Sequence, residues 1–368
     1  MKSYKILVIN PGSTSTKLSM YRDEECLFTE ETFHDSPELL KFPTINDQLG
    51  YRMSVIREFF REHGISLHDV DAIVGRGGGC YSVEGGVYKI DELLVSDIRA
   101  NRAKLYHSSI LGVQMAAELG KEYNVPMFMM DPTVVDEFCD LARVTGVKGV
   151  YRKSHTHALN LKAVARKHAA KLGRRYEQCN FIVSHIDGGI SVTAHRQGKM
   201  IDGINGAGGE GPFTPTRMGG MAVTDLLTDM AGVTPEELRR LCSVAGGLSS
   251  YFGTSNSDTI HAMVDAGDPT ASRVWNAMLY QTAKTIASMA AVLEGKVDAI
   301  VLTVGLLRFP DVEESIRRYC GWIAPVSAYP GEFEQEAMAL GALRVLRGEE
   351  EAKTYSGRPV WSGFPDEQ

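Results

Sequence analysis

The N-terminal segment constrains the fold more than any other part of the chain. An apolar run at residues 6–9 leads into Asn10-Pro-Gly-Ser-Thr-Ser-Thr-Lys17, and a second strand-like run leaves at once. This pattern predicts a β-hairpin whose turn offers backbone N–H groups, hydroxyls and one ammonium, the groups that bind a polyphosphate. It is not a Walker loop, because no glycine precedes Lys17 and the exit is a strand rather than a helix. Turns of this composition also occur without any ligand, so the motif alone leaves both interpretations open.

Composition sets bounds on the rest of the chain. Its 368 residues, 43% hydrophobic and 23% charged, indicate a globular protein of two domains. The net charge of −7 and the lack of a Lys/Arg block argue against a nucleic-acid partner. Six scattered cysteines without Cys-x-x-Cys spacing predict reduced thiols. With no signal-peptide pattern and no apolar run of membrane length, we expect a cytoplasmic protein without a membrane partner.

Hydrophobic periodicity alternates between strand and helix along the chain and predicts an α/β fold with mixed sheets. The predicted strands are residues 4–10, 17–21, 70–75, 126–130, 180–186, 190–195, 297–303 and 322–326. The predicted helices are residues 49–63, 109–123, 155–172, 270–293 and 333–346. Ser108 and Ser109 are good N-cap residues for the second helix, and Gly64 is a good residue to follow the first.

A faint internal duplication runs through this pattern. Val70-Asp-Ala-Ile-Val74 recurs letter for letter at residues 297–301. Each copy lies downstream of an apolar strand that ends in a small-residue turn, at Ser13 in the first half and at Gly188-Gly189 in the second. A five-residue match of common residues also arises by chance. Duplication, however, predicts two turns on opposite sides of a bound nucleotide, which is a kinase architecture.

Several distinct motifs, in order, resemble the butyrate kinases of the acetate and butyrate kinase family, within the actin-like superfamily. The resemblance covers nearly the whole chain. The matching stretches are Ile9-Asn-Pro-Gly-Ser-Thr-Ser-Thr-Lys17, Val74-Gly-Arg76-Gly-Gly78, His107-Ser-Ser, Asp131-Pro, Val134-Val-Asp-Glu137, His157-Ala-Leu-Asn160, Gly208-Gly-Glu-Gly-Pro-Phe-Thr-Pro-Thr-Arg217, Ala324-Pro-Val326 and Pro330-Gly-Glu332.

The resemblance implies a fold and a reaction. The fold is a pair of duplicated actin-like (ribonuclease H-like) domains, each a mixed five-stranded sheet flanked by helices, with an ATP cleft between them. The expected domains are residues 1–152 plus about 335–368, and residues 153–334. The implied reaction is reversible transfer of the ATP γ-phosphoryl group to butyrate or a branched short-chain acid. ATP/ADP and Mg²⁺ are the implied cofactors, and a homo-oligomer, dimer or higher, is the implied assembly.

The resemblance also implies the roles of individual residues. The catalytic residues are Arg76, His157, Arg217 and Asp131, and the substrate contacts are Arg76 and His107. The phosphate contacts are Ser13, Ser15 and Lys17 on one side and His185, Gly188 and Gly189 on the other, with Gly305 in the adenosine motif. The metal contacts are Asn10 and Glu334. Glu334 is chosen over Glu332 and Glu336 by matching the last predicted helix to that of acetate kinase.

The chemistry of such a reaction fits these residue types. A short-chain carboxylate is ionised at pH 7 and needs no general base. Two anions must be brought together, so catalysis depends on cations and alignment. Arg76 lies among glycines, where the backbone bends close to a ligand. Two residues keep a purely structural alternative: Asp131 as the cap of a helix after Pro132, and His107 as a buried structural histidine. His155, His168 and His195 match no motif and are interpreted as ordinary.

The chain departs from the family pattern at several positions. Asp187 stands where butyrate kinases usually have glycine, and Val304 and Leu307 replace small residues in the adenosine motif. Ile110 replaces an asparagine, and His155-Thr156 replaces an apolar pair. A carboxylate near phosphate weakens nucleotide binding unless it holds a metal or points away. The departures leave open a paralogue with weakened catalysis that binds a nucleotide or acyl ligand. A separate alternative is a kinase for an alcohol that uses Asp131 as general base.

Overall fold

Strands and helices alternate along the chain in the computed structural model, which describes residues 2–104 and 107–365. The strands found there are β1 (Lys5–Pro11), β2 (Ser15–Arg22), β3 (Glu25–Phe33), β4 (Ala72–Gly75), β5 (Val87–Lys89), β6 (Met127–Met130), β7 (Asn180–Ile186), β8 (Ile190–Arg196), β9 (Lys199–Gly203), β10 (Ala299–Thr303) and β11 (Val326–Tyr329). The helices found there are α1 (Ser36–Leu39), α2 (Leu49–Glu62), α3 (Glu92–Arg99), α4 (Ile110–Tyr123), α5 (Asp140–Arg143), α6 (Ala158–Lys171), α7 (Val223–Asp229), α8 (Pro235–Arg240), α9 (Leu248–Phe252), α10 (Ser257–Asp265), α11 (Pro269–Val292), α12 (Pro310–Cys320) and α13 (Glu334–Leu346).

The strongly periodic segments were predicted correctly. All five predicted helices are present, as α2, α4, α6, α11 and α13, and Gly64 follows α2 with a φ of 61°. Ser109 is the N-cap residue of α4, as predicted, although its side chain makes no capping hydrogen bond. The strand predicted at residues 322–326 is wrong, because β11 begins only after Pro325, which has no N–H to donate. The sequence pattern missed β3, β5 and β9, of which β3 is mostly exposed.

The chain divides into two compact units, and each contains one mixed sheet. The first unit comprises the residues up to Asp136 together with those from Phe333 onward, and the second is Glu137–Glu332. The first sheet has the order β3-β2-β1-β4-β6-β5, and the second has the order β9-β8-β7-β10-β11. The first five strands of each series match in order and direction, so one supersecondary unit occurs twice. The first sheet has six strands rather than the five expected, because β5 pairs with β6.

The repeated Val-Asp-Ala-Ile-Val segment has the same structural role in both units. Asp71 accepts a hydrogen bond from the backbone N–H of Lys5 at 2.9 Å, and Asp298 accepts one from Asn180 at 2.7 Å. Lys5 begins β1 and Asn180 begins β7, the corresponding strands of the two sheets. The aspartate therefore sets where the central strand begins in each unit, and the match reflects a repeated structure rather than chance.

The boundary between the units lies earlier than the predicted position between residues 152 and 153. Glu137 already belongs to the second unit, where it accepts from Lys162 at 2.6 Å, and Arg152 donates to Asp202 at 2.9 Å. These charged pairs attach the intervening segment to the second unit. At the other end, α13 packs on β1, β4 and β6 of the first unit.

Each sheet contains a central strand of fully buried apolar residues. Residues 6–9 of β1 are completely buried, as are residues 300–302 of β10. In the second unit the core extends from β8 to α11, where Trp275 and Ile286 are fully buried. Among the described residues, no helix combines the length and apolarity needed to span a bilayer.

Candidate active site

The hairpin predicted at the N-terminus is present as β1 and β2. Asn10 is paired with Lys17 in the antiparallel register, and the N–H of Gly12 donates to the carbonyl of Ser15 at 2.8 Å. Ser13 is exposed at the tip of the turn. Ser15 is buried, and its hydroxyl donates to Glu31 Oε1 at 2.5 Å. The exposed part of the turn is therefore its tip, including Ser13.

Arg76, Glu334 and Asn10 meet in the first unit. Arg76 directly follows β4, and it is 8% exposed. Its guanidinium pairs with the Glu334 carboxylate, and Asn10 Nδ2 donates to the same carboxylate at 3.0 Å. A Cβ on Gly75 would lie 2.2 Å from the carbonyl oxygen of Gly112, so only glycine allows this approach. The structure thus brings together one predicted catalytic residue and both predicted metal contacts.

The donor set at this position fits a hard divalent cation. Asn10 supplies an amide oxygen and Glu334 a carboxylate, and Mg²⁺ takes few protein ligands of this kind while keeping several waters. Among the described residues there is no cluster of three or more His, Cys, Asp or Glu side chains that forms a metal site by itself. A metal held here would consequently have water or a phosphate oxygen as its other ligands.

Asp131 and His107 also lie in the first unit. Asp131 is completely buried, and its carboxylate accepts from the N–H of Gly86 at 2.7 Å. No helix begins directly after Pro132 in this described stretch, so the interpretation of Asp131 as a helix cap is wrong. His107 keeps exposed surface, which rules out a buried structural role.

The protonation state of His107 follows from its neighbours. The N–H of Ser109 donates to His107 Nδ1 at 3.1 Å, so the proton of the neutral ring is on Nε2. Loss of hydration and then the Arg76 charge lower the pKa of His107, although part of the residue remains exposed. At pH 7 His107 is therefore a neutral ring that donates through Nε2.

In the second unit His157 and His185 form a stacked pair. Their ring centroids are 3.8 Å apart and their planes differ by 2°. His157 precedes α6, and its Nδ1 is 2.8 Å from the hydroxyl of Ser191 on β8. Ser191 is 2% exposed, so the hydroxyl is fixed in place. The stack and this hydrogen bond orient the His157 ring.

The loop that carries Arg217 is attached to the glycine turn after β7. The hydroxyls of Thr214 and Thr216 both donate to the carbonyl of Gly188, at 2.7 and 2.8 Å. Thr214 Oγ1 in turn accepts from the N–H of Arg217 at 3.0 Å. A Cβ on Gly189 would lie 2.6 Å from Arg217 Cζ. The guanidinium therefore lies directly over Gly189, which explains the need for glycine there.

Arg217 is a partly buried cation without an anionic partner. Across the part of the chain that the structure describes, no carboxylate pairs with it, and its buried Nε has no hydrogen-bond acceptor. Burial lowers the pKa of Arg217 because nothing nearby compensates for the lost hydration. A buried charge left in this way is costly unless a bound anion completes it.

Asp187 and Val304, both departures from the expected pattern, lie beside the same glycine. A Cβ on Gly305 would be 2.7 Å from Asp187 Oδ2. Burial raises the pKa of Asp187, and the N–H groups of Gly188 and Gly305 oppose that shift. Val304 has a φ of 78° and a ψ of −161°, a region that is otherwise almost exclusive to glycine and that costs about 1–3 kcal/mol. Val304 thus adopts a backbone conformation that is typical of glycine, although the residue is a valine.

Two residues of this region were not predicted from the sequence. Ser191 had no signal beyond its place on a strand after the glycine turn. His155 was interpreted as ordinary. Loss of hydration and then the Arg217 charge lower the pKa of His155, which places it near Arg217, although the residue keeps exposed surface. Its position two residues before His157 was the available signal. His168 and His195 are buried and form hydrogen bonds with Tyr329 and Tyr176, respectively, as expected for structural histidines.

Comparison with known proteins gives a consistent result. Residues 142–308 match the model of the Acetokinase family. A protein described as a probable butyrate kinase from Enterococcus faecalis is 44% identical over 353 residues, which cover 95% of this chain and 97% of that protein. A second probable butyrate kinase, from Clostridium botulinum (strain Eklund 17B / Type B), is 43% identical over 355 residues, covering 96% and 100%.

Solved structures are similar in fold at much lower identity. The crystal structure of Porphyromonas gingivalis acetate kinase is 17% identical with a TM-score of 0.74, and the match covers 94% of this chain and all of that one. A propionate kinase from Francisella tularensis subsp. tularensis SCHU S4 is 18% identical with a TM-score of 0.71, covering 92% and 98%. At this identity the match shows the fold alone, which is the actin-like fold of acetate kinases.

Proposed function

The chain belongs to the acetokinase family, and from that premise we propose that it phosphorylates butyrate or a branched short-chain acid. It is a short-chain carboxylate kinase: a carboxylate oxygen attacks the terminal phosphorus of ATP, the bond to the ADP oxygen breaks, and acyl phosphate and ADP form. The same steps in reverse make ATP. We further propose Mg²⁺ as the metal.

The observation that carries this assignment is the unpartnered guanidinium of Arg217 over Gly189. An arginine presents a planar fork that matches the two oxygens of a carboxylate or the oxygens of a phosphoryl group. Because the loop is fixed by Thr214 and Thr216, the fork needs little reorganisation when an anion arrives. We assign Arg217 to the charge that develops on the transferring phosphoryl group and the acceptor.

The remaining site residues receive roles that fit their surroundings. His157, oriented by Ser191, donates from Nε2 to a phosphoryl oxygen. Arg76 and neutral His107 bind the acceptor carboxylate in the first unit. Asn10 and Glu334 would hold Mg²⁺, which neutralises phosphate charge when bound. Lys17, Ser13 and Ser15 on the first hairpin, and His185, Gly188, Gly189 and Gly305 in the second unit, are proposed nucleotide contacts.

The two alternatives raised by the sequence have less support. An alcohol acceptor needs a general base, and the candidate, Asp131, is completely buried with its carboxylate bound to the N–H of Gly86. A paralogue with weakened catalysis rests on Asp187 and Val304 alone. The cations Arg76 and Arg217 and the oriented His157 are all present.

Trapping of acyl phosphate with hydroxylamine tests the proposed function. Purified protein with ATP, Mg²⁺ and a panel of C2 to C6 acids should give hydroxamate in proportion to ADP, with butyrate or a branched acid as the best substrate. Alcohols of the same chain lengths serve as controls and should give ADP at no more than the background rate. Hydroxamate from none of the acids, with folded protein, would contradict the assignment.

The Asp187 carboxylate is expected to weaken nucleotide binding. Replacing it with asparagine keeps its size and removes one negative charge, so the Kd for ATP should fall about tenfold, as expected for roughly 1.4 kcal/mol of relieved repulsion. Asp187→Gly should act in the same direction. Calorimetric titration measures the affinity, and Asp225→Asn, an exposed position on α7, controls for net charge. An unchanged or raised Kd in both variants would show that the carboxylate does not oppose the phosphates.

We also propose a homo-oligomer, dimer or higher, in the cytoplasm. Every residue of α7 and α8 keeps solvent-accessible surface, and Val223 and Leu227 are 71% and 67% exposed. Helices this short are marginal in water without packing, so a second copy is a suitable cover for their apolar side chains. All six cysteines are free thiols, as in a reducing compartment. Light scattering gives the mass, and a monomer at working concentration would contradict the oligomer.

A further inference from the structure

Arg52 is a cation that lies completely inside the first unit. It is on α2 and has no exposed surface. Within the described part of the chain no carboxylate forms an ion pair with it. Burial lowers the pKa of Arg52 to about 10, which still leaves it protonated at pH 7. An arginine that gives up its hydration without a carboxylate partner must be compensated by other acceptors.

Those acceptors are the carbonyl oxygens of the β1–β2 turn. Arg52 Nη1 donates to the carbonyls of Gly12 and Ser15, each at 2.9 Å, and Nη2 donates to the carbonyl of Ser13 at 2.9 Å. Its Nε donates to Gln48 Oε1 at 3.1 Å, just before α2 begins. The planar guanidinium of Arg52 therefore forms hydrogen bonds with three carbonyl oxygens of a four-residue turn.

The opposite side of the turn has the complementary character. Within residues 2–104 and 107–365, no internal acceptor is found for the N–H groups of Ser13 and Thr14. Both side chains are exposed. Since the guanidinium binds the carbonyls of the turn from inside, the amide dipoles present their positive ends to solvent, which makes an anion-binding concavity.

The side chains next to Arg52 leave its positive charge without a neutralising negative charge. Thr16 Oγ1 is 2.8 Å from His34 Nε2 and 3.4 Å from Arg52 Nη1. Burial and then the Arg52 charge lower the pKa of His34 to about 4, so His34 is neutral at pH 7. The carboxylate of Glu31 on β3 accepts from the Ser15 hydroxyl rather than pairing with Arg52.

We propose that Arg52 is a positioning residue, which preorganises the turn at Gly12–Ser15 to bind the polyphosphate of ATP. It touches no substrate. It holds the turn carbonyls inward, keeps the amides of Ser13 and Thr14 directed outward, and adds a buried positive charge behind them. The identity of the anion rests on the proposed function, while the role of Arg52 in shaping the turn rests on its hydrogen bonds.

Replacement of Arg52 separates nucleotide binding from the rest of catalysis. Arg52→Met should raise the KM for ATP about thirtyfold, because a loosened turn must be ordered at each binding event. The KM for the carboxylate should stay within about twofold, since the acceptor is assigned to other residues. Arg52→Lys, which keeps the charge but loses the fork, should lie between Arg52→Met and the wild type. The matched control is Arg57→Met, an exposed position on the same helix paired with Glu122, and it should behave as wild type.

A milder variant covers the case in which Arg52→Met does not fold. Gln48→Leu removes only the acceptor that steadies Arg52 Nε, and Gln48 is partly exposed. It should raise the KM for ATP about threefold with the carboxylate KM unchanged. Circular dichroism and thermal unfolding establish that each variant is folded.

The outcomes are distinguishable from failure of the proposed function. If the wild type makes no acyl phosphate but binds ATP, and the variants bind it more weakly by calorimetry, the proposed function fails and the role of Arg52 stands. If the wild type turns over and folded Arg52 variants keep its KM for ATP, the role of Arg52 is wrong. Equal rises in both KM values, or no ATP binding by the wild type, would also overturn it.

Discussion

Replacing Arg217 with alanine is expected to reduce kcat about a thousandfold, the size of effect seen when a preorganised charge is removed from a transition state. The guanidinium lies over Gly189 without an anionic partner, so its interaction energy is available to the reacting groups. Nucleotide affinity should change by no more than about threefold, because the turns and the metal contacts proposed to hold ATP are untouched. Hydroxamate formation gives kcat, and calorimetric titration gives the Kd for ATP.

Two further variants interpret that result. Arg217→Lys keeps the charge but loses the planar fork, and it should recover only part of the rate. Arg239→Ala removes an exposed arginine on α8 and should leave both quantities unchanged. Equal loss of kcat and of ATP affinity in Arg217→Ala would contradict the assigned role, because it would mean that Arg217 contributes to ground-state binding.

The second large effect is expected at Glu334. Glu334→Gln keeps an oxygen that can accept from Asn10 and Arg76 but removes the charge a divalent cation requires. The Mg²⁺ concentration for half-maximal rate should rise at least about tenfold, and the rate at limiting Mg²⁺ should fall about a hundredfold. A Mg²⁺ titration of hydroxamate formation measures both quantities. Thermal unfolding monitors the loss of the partly buried ion pair with Arg76.

Glu336→Gln is the matched control, because it removes the same charge from the same helix, two residues further on. It should leave the Mg²⁺ dependence unchanged. If instead Glu336→Gln shifts the dependence and Glu334→Gln does not, the metal contact was assigned to the wrong glutamate. This pair of variants thus tests the choice of Glu334 over Glu336 as the metal contact.

Local patterns were sufficient for most of the fold. The hairpin at residues 10–17 and the long helices have strong periodicity and clear turn residues, and all are present in the structure. Elements that are short, exposed or dependent on a partner were missed. Strand β5 is three residues long and exists because β6 lies beside it. A pairing between distant segments leaves little trace in the sequence of either.

The candidate site shows the same division at the level of side chains. Arg76 and Arg217 were identified by their motifs and their glycine neighbours. Their charged partners were not evident from the sequence. Glu334, which pairs with Arg76, is far from it along the chain, and Arg217 has no carboxylate partner among the described residues. Arg52 carried no motif, because its partners are main-chain carbonyls, which have no sequence signature.

The sequence by itself determined the class of fold and the types of residue available for binding anions, and it indicated the duplication that the structure confirmed. Apolar periodicity, turn residues and charge are local properties, and they are legible along the chain. Only the tertiary structure decided which cation is paired and which is free, that His157 stacks on His185, and that Asp187 lies against Gly305. Those are consequences of distance and burial between residues far apart in sequence, and interaction energies between charges depend on both.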